Sequence, residues 1–236
     1  MGDVTRTTAD DAQETAAASY GNSPHGHMGI VTGAGVPVRH RPVPADGQVH
    51  AMLATDIAGY SSASRDHETR LHMHNALYTM LGDALTAAGI PWDACYHEDR
   101  GDGALVLIPP EVPAVGIIDP FPVRLRALIR RYNHVSSEAA RMQMRAAVHD
   151  GPVYSDAHGL VSDDITYLFR MLETRRLRRA LADSSAELAM AVSRYVHETM
   201  VLRHPSLADP AQFTPLRGRV KRASINGWLY VPGSDQ

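Results

Sequence analysis

Two aspartates stand at the ends of short apolar runs, on either side of a long polar and helix-forming segment. Asp56 ends the run HAMLATD, and Asp102 lies within the segment HEDRGDGALVLIP. If both runs are strands, the two carboxylates meet at one edge of a sheet. Mg²⁺ prefers oxygen ligands and usually takes one or two carboxylates together with substrate phosphates. The pair therefore predicts a divalent-cation site for phosphoryl chemistry on a nucleotide.

Each acid also has a structural interpretation that the sequence leaves open. Asp-Gly pairs are common in hairpin turns, so Asp102 is also typical of a turn residue. Asp56 is also typical of a residue that caps the chain after a strand. The metal hypothesis depends on the two acids acting together.

The elements that would carry these acids follow from the apolar pattern. Val49–Thr55 is typical of a buried strand, and Ser64 or Asp66 can cap the helix that follows. The apolar face predicted for that helix consists of Leu71, His74, Tyr78, Leu81 and Leu85. Gly89 and Pro91 end the helix.

The rest of the chain continues to alternate strand and helix patterns. The predicted elements are strands at 94–97 and 104–108 joined by a turn over 100–103, a basic helix at 123–135, a strand at 143–154 ending at a Gly-Pro turn, a helix from Ser162 or Asp163, a short helix at 177–182, a strand at 187–192, a helix at 195–203, and closing strands at 213–222 and 227–231. Strand-helix-strand-strand-helix-strand with additions is the ferredoxin-like α+β pattern. It predicts an antiparallel-rich sheet flanked by helices.

The composition narrows the class of protein. The chain has 236 residues, 44% of them hydrophobic, and a formal charge of -3. This charge gives no reason to expect nucleic acid as a partner, since phosphate-backbone binding needs a basic face. The basic run at 175–179 is therefore typical of a solvated helix face. A single cysteine, Cys95, and the lack of a membrane-length apolar run predict a cytoplasmic protein without a membrane partner.

Residues 1–47 have a different composition from the rest. They are rich in Ala, Thr, Gly, Pro and Asp and show no apolar period, which is typical of a disordered tail and linker. GIVTGAG within them lacks the strand-helix context of a phosphate loop. We therefore expect one folded domain over residues 48–233.

Three blocks, in this order, resemble the class III nucleotidyl cyclases, the catalytic-domain family of adenylyl and guanylyl cyclases. They are ATDIAGYS, EDRGDGALV and DDITYLFRML, the last preceded by the strand MRAAVHDGPVY. The corresponding family patterns are Asp-Ile-x-Gly-Phe for the first block and a Gly-Asp-Gly hairpin for the second. The preceding strand corresponds to Arg-x-x-x-His-x-Gly, and the third block to Asn-x-x-x-Arg. The resemblance covers about residues 48–232 and implies the ferredoxin-like cyclase catalytic fold.

The resemblance implies roles for the metal-binding and catalytic positions. Asp56 and Asp102 match the two metal aspartates, which hold two Mg²⁺ or Mn²⁺ ions, and Ile57 matches the residue that lends a backbone carbonyl. Arg170 matches the transition-state arginine, which the partner subunit of a dimer supplies. The family's asparagine is Thr166 here, and its shorter side chain puts the orientation of the ribose in doubt.

The resemblance also implies substrate-binding positions. Glu98 falls on a base-selecting position, where glutamate is the guanylyl cyclase residue. The second base-selecting position lies near Asp156 to Gly159, without a firm match. The family's phosphate-binding lysine falls on Ala223, which leaves Lys221 and Arg222 as displaced substitutes. Members that act on pyrimidine nucleotides in bacterial defence are similar in outline.

These matches also have structural alternatives. Arg170 could form an ion pair with Glu173 or Asp163 on the helix surface. Glu98 could be an ordinary polar strand residue, and Thr166 an ordinary residue of a helix face.

Two functions therefore remain open. One is an active cyclase that converts a nucleoside triphosphate to a 3′,5′-cyclic nucleotide and pyrophosphate, as a homodimer, for signalling. The other is a cyclase-like domain that has lost turnover and serves as a nucleotide-binding or regulatory partner module. Thr166 and Ala223 favour the second, while Asp56, Asp102 and Arg170 favour the first.

Overall fold

One mixed sheet forms the centre of the described part of the chain, residues 46–233 of the computed structural model. Most of the tail predicted at 1–47, with GIVTGAG, lies outside the described residues. The strands are β1 (Gln48–Ile57), β2 (Tyr96–Asp99), β3 (Gly103–Ile108), β4 (Met144–Asp156), β5 (Gly159–Val161), β6 (Leu188–Ser193), β7 (Thr214–Val220) and β8 (Ala223–Tyr230). Their order is β2-β3-β1-β4-β6-β8-β7, and β5 pairs with the end of β4. Only β4 and β6 run parallel among these described strands.

The helices cover both faces of this sheet. They are α1 (His67–Ala87), α2 (Phe121–Val135), α3 (Asp163–Leu172), α4 (Arg175–Ala182) and a short α5 (Arg194–Val196). Asp66 caps α1 by accepting from the backbone N–H of Thr69, and Ser162 caps α3. No described helix is long and apolar enough to cross a membrane.

Side-chain alternation along the central strand divides the core into two clusters. Leu53 and Ile57 of β1 pack with α1 and α2, whereas Met52 and Ala54 pack with α3 and α4. Since successive side chains of a strand point to opposite faces, Asp56 continues the row of Met52 and Ala54 toward α3 and α4. The predicted α+β, antiparallel-rich fold with flanking helices is confirmed.

Two details of the sequence prediction were wrong. The buried stripe of α1 is Met73, Leu77, Met80, Leu81, Ala84 and Leu85, while the predicted Leu71 is 53% exposed. The strand predicted to stop at the Gly-Pro pair instead runs on to Asp156. Gly151 lies within this strand. The position requires glycine because a Cβ there would overlap the side chain of Asp164 on α3. This glycine marks close packing of a helix on a strand rather than a turn.

Gly103, at the start of β3, should tolerate no larger residue. It stands opposite Asp56 in the β1–β3 ladder, and a Cβ would overlap the carbonyl oxygen of Thr55. Because that neighbour is backbone, the two strands must separate. We expect Gly103→Ala to lower the free energy of unfolding by about 2 kcal/mol, measured by denaturant unfolding.

Gly82→Ala is the matched control for this substitution. Gly82 lies inside α1, and a Cβ there meets the Trp92 ring at an ordinary 3.5 Å. Alanine in a helix interior is favoured over glycine by roughly 0.5–1 kcal/mol, so this variant should be no less stable than the natural chain. Equal stability of the two variants would contradict the close β1–β3 approach.

Candidate active site

Asp56 lies near the end of β1 with its carboxylate largely buried and paired. The Arg145 guanidinium of β4, directly across the ladder, donates from Nε to Oδ1 of Asp56 at 2.8 Å. Burial raises the pKa of Asp56 to about 6, although Arg145 acts in the opposite direction, and the nearby Asp102 carboxylate raises it further. The carboxylate therefore sits where a cation would stabilise it.

Asp102 reaches the same sheet edge from the β2–β3 turn. Its backbone carbonyl accepts a hydrogen bond from the N–H of Ile57 at 2.8 Å. The Asp102 side chain is exposed, and Asp102 precedes Gly103, which stands directly opposite Asp56 in the β1–β3 ladder. The structure thus brings together Asp56, Ile57 and Asp102, the three predicted metal-site residues.

A cleft of about 720 Å³ beside α3 collects other predicted residues. Arg170, Thr166 and Lys221 line it, together with Arg100 and Phe169. Among the described residues, Arg170 forms no ion pair with Glu173 or Asp163, the structural alternative for this arginine. Its guanidinium is therefore not committed to a carboxylate of its own helix.

The remaining predicted residues of this region differ in their placement. Lys221 and Arg222 form the turn between β7 and β8, where Lys221 has a φ of 53°. Lys221 lines the cleft, whereas Arg222 does not. The Thr166 hydroxyl donates to the backbone carbonyl of Ser162 at 3.2 Å, so it is bonded to its own helix.

Glu98 lies on β2 and is held by two neighbours. The Tyr96 hydroxyl donates to Oε2 and the Arg100 guanidinium contacts Oε1, each at 3.2 Å. Burial and the Glu98 charge raise the pKa of Tyr96 to about 12, so this tyrosine remains a donor. Glu98 does not line the cleft beside α3, but its partner Arg100 does.

Two side-chain contacts in the first half of α3 hold this helix on the sheet. His149 of β4 contacts Asp164 at 2.9 Å, and the Tyr167 hydroxyl donates to the Asn226 carbonyl at 3.0 Å. The space left by Gly151 allows Asp164 to come this close. These contacts set the position from which Arg170 projects.

Comparison with known proteins adds evidence on the fold. No family model matches the sequence, and no curated protein is similar to it. Among solved structures, an adenylate/guanylate cyclase/hydrolase from Silicibacter pomeroyi has a TM-score of 0.55 at 22% identity, over 79% of this chain and 98% of that one. The guanylyl cyclase Cya2 has a TM-score of 0.56 at 16% identity, over 81% and 96% of the two chains. The fold is that of a class III nucleotidyl cyclase catalytic domain.

Within this cyclase fold, the acidic edge fits a divalent cation by its donor set. Two carboxylates and the nearby backbone of Ile57 offer hard oxygen atoms, and Arg145 occupies only Oδ1 of Asp56. The described residues contain no group of three or more His, Cys, Asp or Glu that could hold a metal. Such a site suits a cation that takes its other ligands from phosphates and water, as Mg²⁺ does.

Arg145 and Arg100 are residues to which the sequence reasoning assigned no role, although Arg145 is the arginine of the Arg-x-x-x-His-x-Gly strand. Arg145 carries a signal, because a charged side chain in an apolar central strand needs a partner. It stands opposite Asp56 only after the β1–β4 register is known. Arg100 carries no such signal, since an arginine in a turn is usually solvated.

Proposed function

We propose that the protein is a metal-dependent nucleotidyl cyclase that converts a nucleoside triphosphate to a 3′,5′-cyclic monophosphate and pyrophosphate. The ribose 3′-hydroxyl gives its proton to solvent water, its oxygen bonds to the α-phosphorus, and the bond from that phosphorus to the oxygen bridging to the β-phosphate breaks, so that pyrophosphate leaves. Cyclase domains of the same fold have been described with GTP and with ATPαS.

The observation that carries this proposal is that the predicted site residues fall into two groups in one chain, which we call half-sites. Asp56 and Asp102 lie at the sheet edge, whereas Arg170, Thr166 and Lys221 line a cleft that includes neither aspartate. A homodimer that faces the acids of one chain toward the cleft of the other would complete a site. A guanylyl cyclase domain from Blastocladiella emersonii, with a TM-score of 0.53, is described as a non-canonical dimer, so domains of this fold can pair.

The chemistry assigned to each half follows from charge. Divalent cations bound to the two aspartates would lower the pKa of the 3′-hydroxyl and neutralise phosphate oxygens. Arg170, planar and permanently charged, would donate to the phosphoryl oxygens on which charge builds up. Lys221 would hold the outgoing phosphates as a point charge. Arg145 borders the acids, and its N–H groups beyond the Nε contact with Asp56 would donate to a phosphate oxygen of the bound nucleotide.

The second candidate is a cyclase-like domain without turnover that binds nucleotide or a partner. The hydrogen bond from the Thr166 hydroxyl to Ser162 favours it, because that hydroxyl is engaged within the helix. Incubation with Mn²⁺ and each of the four triphosphates separates the two candidates. Cyclic product and pyrophosphate support the cyclase, whereas nucleotide binding without product supports the module.

Mixing two inactive variants tests the shared site directly. Asp56→Ala lacks the metal half-site and Arg170→Ala lacks the cleft arginine, so a mixed dimer contains one intact site of the two. We expect each variant alone to be nearly inactive, and the equimolar mixture to recover up to about a quarter of natural activity. Half of the dimers are then mixed, and each has one working site.

A labelled-subunit exchange assay accompanies this measurement. Recovery in the mixture, but not in a mixture of Asp56→Ala with Asp102→Ala, places the two groups in different chains. With exchange demonstrated and no recovery, a site contained within one chain would be the correct description.

A further inference from the structure

Arg100 is a cation of the cleft that the proposed chemistry does not use. It sits in the β2–β3 turn, two residues before Asp102, and its side chain is 37% exposed. Its guanidinium carbon lies 5.0 Å from the centroid of the Phe169 ring, one residue before Arg170 on α3. The residue therefore joins the strand that carries Glu98 to the helix that carries Arg170.

These contacts fix the orientation of the guanidinium. One of its nitrogens, Nη2, contacts Glu98, and the ring of Phe169 lies within cation–π range of the group. A guanidinium has five N–H donors in one plane, so donors remain after the contact with Glu98. Since Arg100 lines the cleft, those donors are available to a molecule bound there.

The same contacts reduce what Glu98 can do on its own. One of its carboxylate oxygens accepts from the Tyr96 hydroxyl, and the other forms an ion pair with Arg100 at 3.2 Å. Glu98 does not line the cleft, so at this end of the cleft the N–H donors come from Arg100. The array favours a ligand edge that presents an acceptor to Arg100.

Nucleobases differ in what they present at this kind of edge. Guanine carries a carbonyl oxygen at C6 and uracil one at C4, whereas adenine and cytosine carry an amino group at the corresponding positions. A guanidinium donates to a carbonyl oxygen and cannot pair with an amino donor. Bidentate pairing of arginine with guanine O6 and N7 is the commonest specific contact of this type in DNA recognition.

We propose that Arg100 is a specificity-determining residue that reads the carbonyl oxygen at guanine C6 or uracil C4 and so selects GTP or UTP over ATP and CTP, which carry an amino group at that position. Glu98 and Phe169 orient its guanidinium, and Glu98 is then a positioning residue as much as a reader. This inference rests on the proposed function, because it takes the cleft as a nucleotide site.

The test is the binding of each triphosphate with Mn²⁺, measured by calorimetry on the full chain. The natural protein should bind GTP or UTP at least about tenfold more tightly than ATP and CTP, the discrimination typical of one well-formed arginine-base contact. Arg100→Leu should bring the four dissociation constants to within about threefold of each other. Arg100→Lys, which keeps the charge without the planar fork, should retain part of the preference.

Arg124→Leu serves as the control, since Arg124 is exposed on α2 away from the cleft and should leave the preference unchanged. Binding with the same preference in Arg100→Leu, or an initial preference for ATP or CTP, would overturn this inference and leave the cyclase proposal intact. Failure of every triphosphate to bind the folded natural chain would overturn both. Circular dichroism establishes that each variant is folded.

Discussion

Asp56→Asn is expected to abolish cyclisation, with a loss of kcat of more than about 10³-fold. Asparagine keeps the shape of the side chain and an oxygen for the 2.8 Å contact with Arg145. It removes the negative charge that a divalent cation needs, and bound metal contributes several kcal/mol of transition-state charge stabilisation. Turnover is measured as cyclic product formed with Mn²⁺ and whichever triphosphate gives most product.

The stability of the same variant separates lost metal binding from lost folding. In the metal-free chain, burial raises the pKa of Asp56 from its ordinary 3.8 to about 6. The folded state therefore binds this proton more tightly than the unfolded state, and the contribution of Asp56 to stability falls as the pH rises from about 4 through about 6. Asparagine does not titrate. The melting temperature of Asp56→Asn minus that of the natural chain, both measured in EDTA, should therefore increase between pH 4 and pH 7.5.

An inactive variant with this stability profile places the effect at the metal site. A variant that instead melts well below the natural chain at pH 7.5 would show that Asp56 is structural. Residual turnover within about tenfold of the natural rate would remove the carboxylate from the chemistry altogether.

The acidic edge could be predicted from the sequence because it depends on local patterns. One apolar run of strand length ends at Asp56 and another follows Asp102, and the Asp-Gly pair predicts the hairpin turn that precedes this second run. The two acids meet because β1 pairs with β3, and the strand-helix-strand-strand pattern of a ferredoxin-like fold predicts that pairing. The structure has Asp56 opposite Gly103, the residue after Asp102.

The partners of these residues could not be predicted in the same way. Arg145 lies 89 residues from Asp56 along the chain, and which strand pairs with β1 is a property of the whole sheet. The Arg100–Phe169 contact likewise depends on how α3 packs against β4, which Gly151 decides. A glycine beside a proline predicts a turn from local preference, and tertiary packing overrode that preference here.

The error in α1 has a related cause. His74 and Tyr78 were assigned to the apolar face by their spacing, whereas both contact the Asp99 carboxylate at 3.2 Å at the margin of the core. Met73 and Leu77, one position earlier, are fully buried. Amphipathic side chains fit either position, so spacing alone cannot fix the rotation of the helix.

Arg170→Ala is expected to lower kcat by on the order of 10²–10³-fold, the usual cost of removing one donor to a developing charge. The substitution should leave the melting temperature unchanged, because among the described residues Arg170 forms no ion pair within its own chain. KM should change less than kcat, since the interaction strengthens as the phosphoryl oxygens gain charge. Steady-state kinetics with Mn²⁺ provides the measurement.

Arg175→Ala is the matched control, because Arg175 is exposed at the start of the neighbouring α4 and does not line the cleft. It removes the same charge from the same basic surface, so a general electrostatic attraction of the triphosphate would be lost equally in both variants. A large kcat effect confined to Arg170 would mark a directed contact.

If both variants instead raise KM to a similar extent and leave kcat unchanged, the arginines only attract the nucleotide, and the proposed transition-state role of Arg170 is wrong. The acid pair would then have to act without a cationic partner on the opposite side of the phosphate, and a dimer would no longer be required to complete the site.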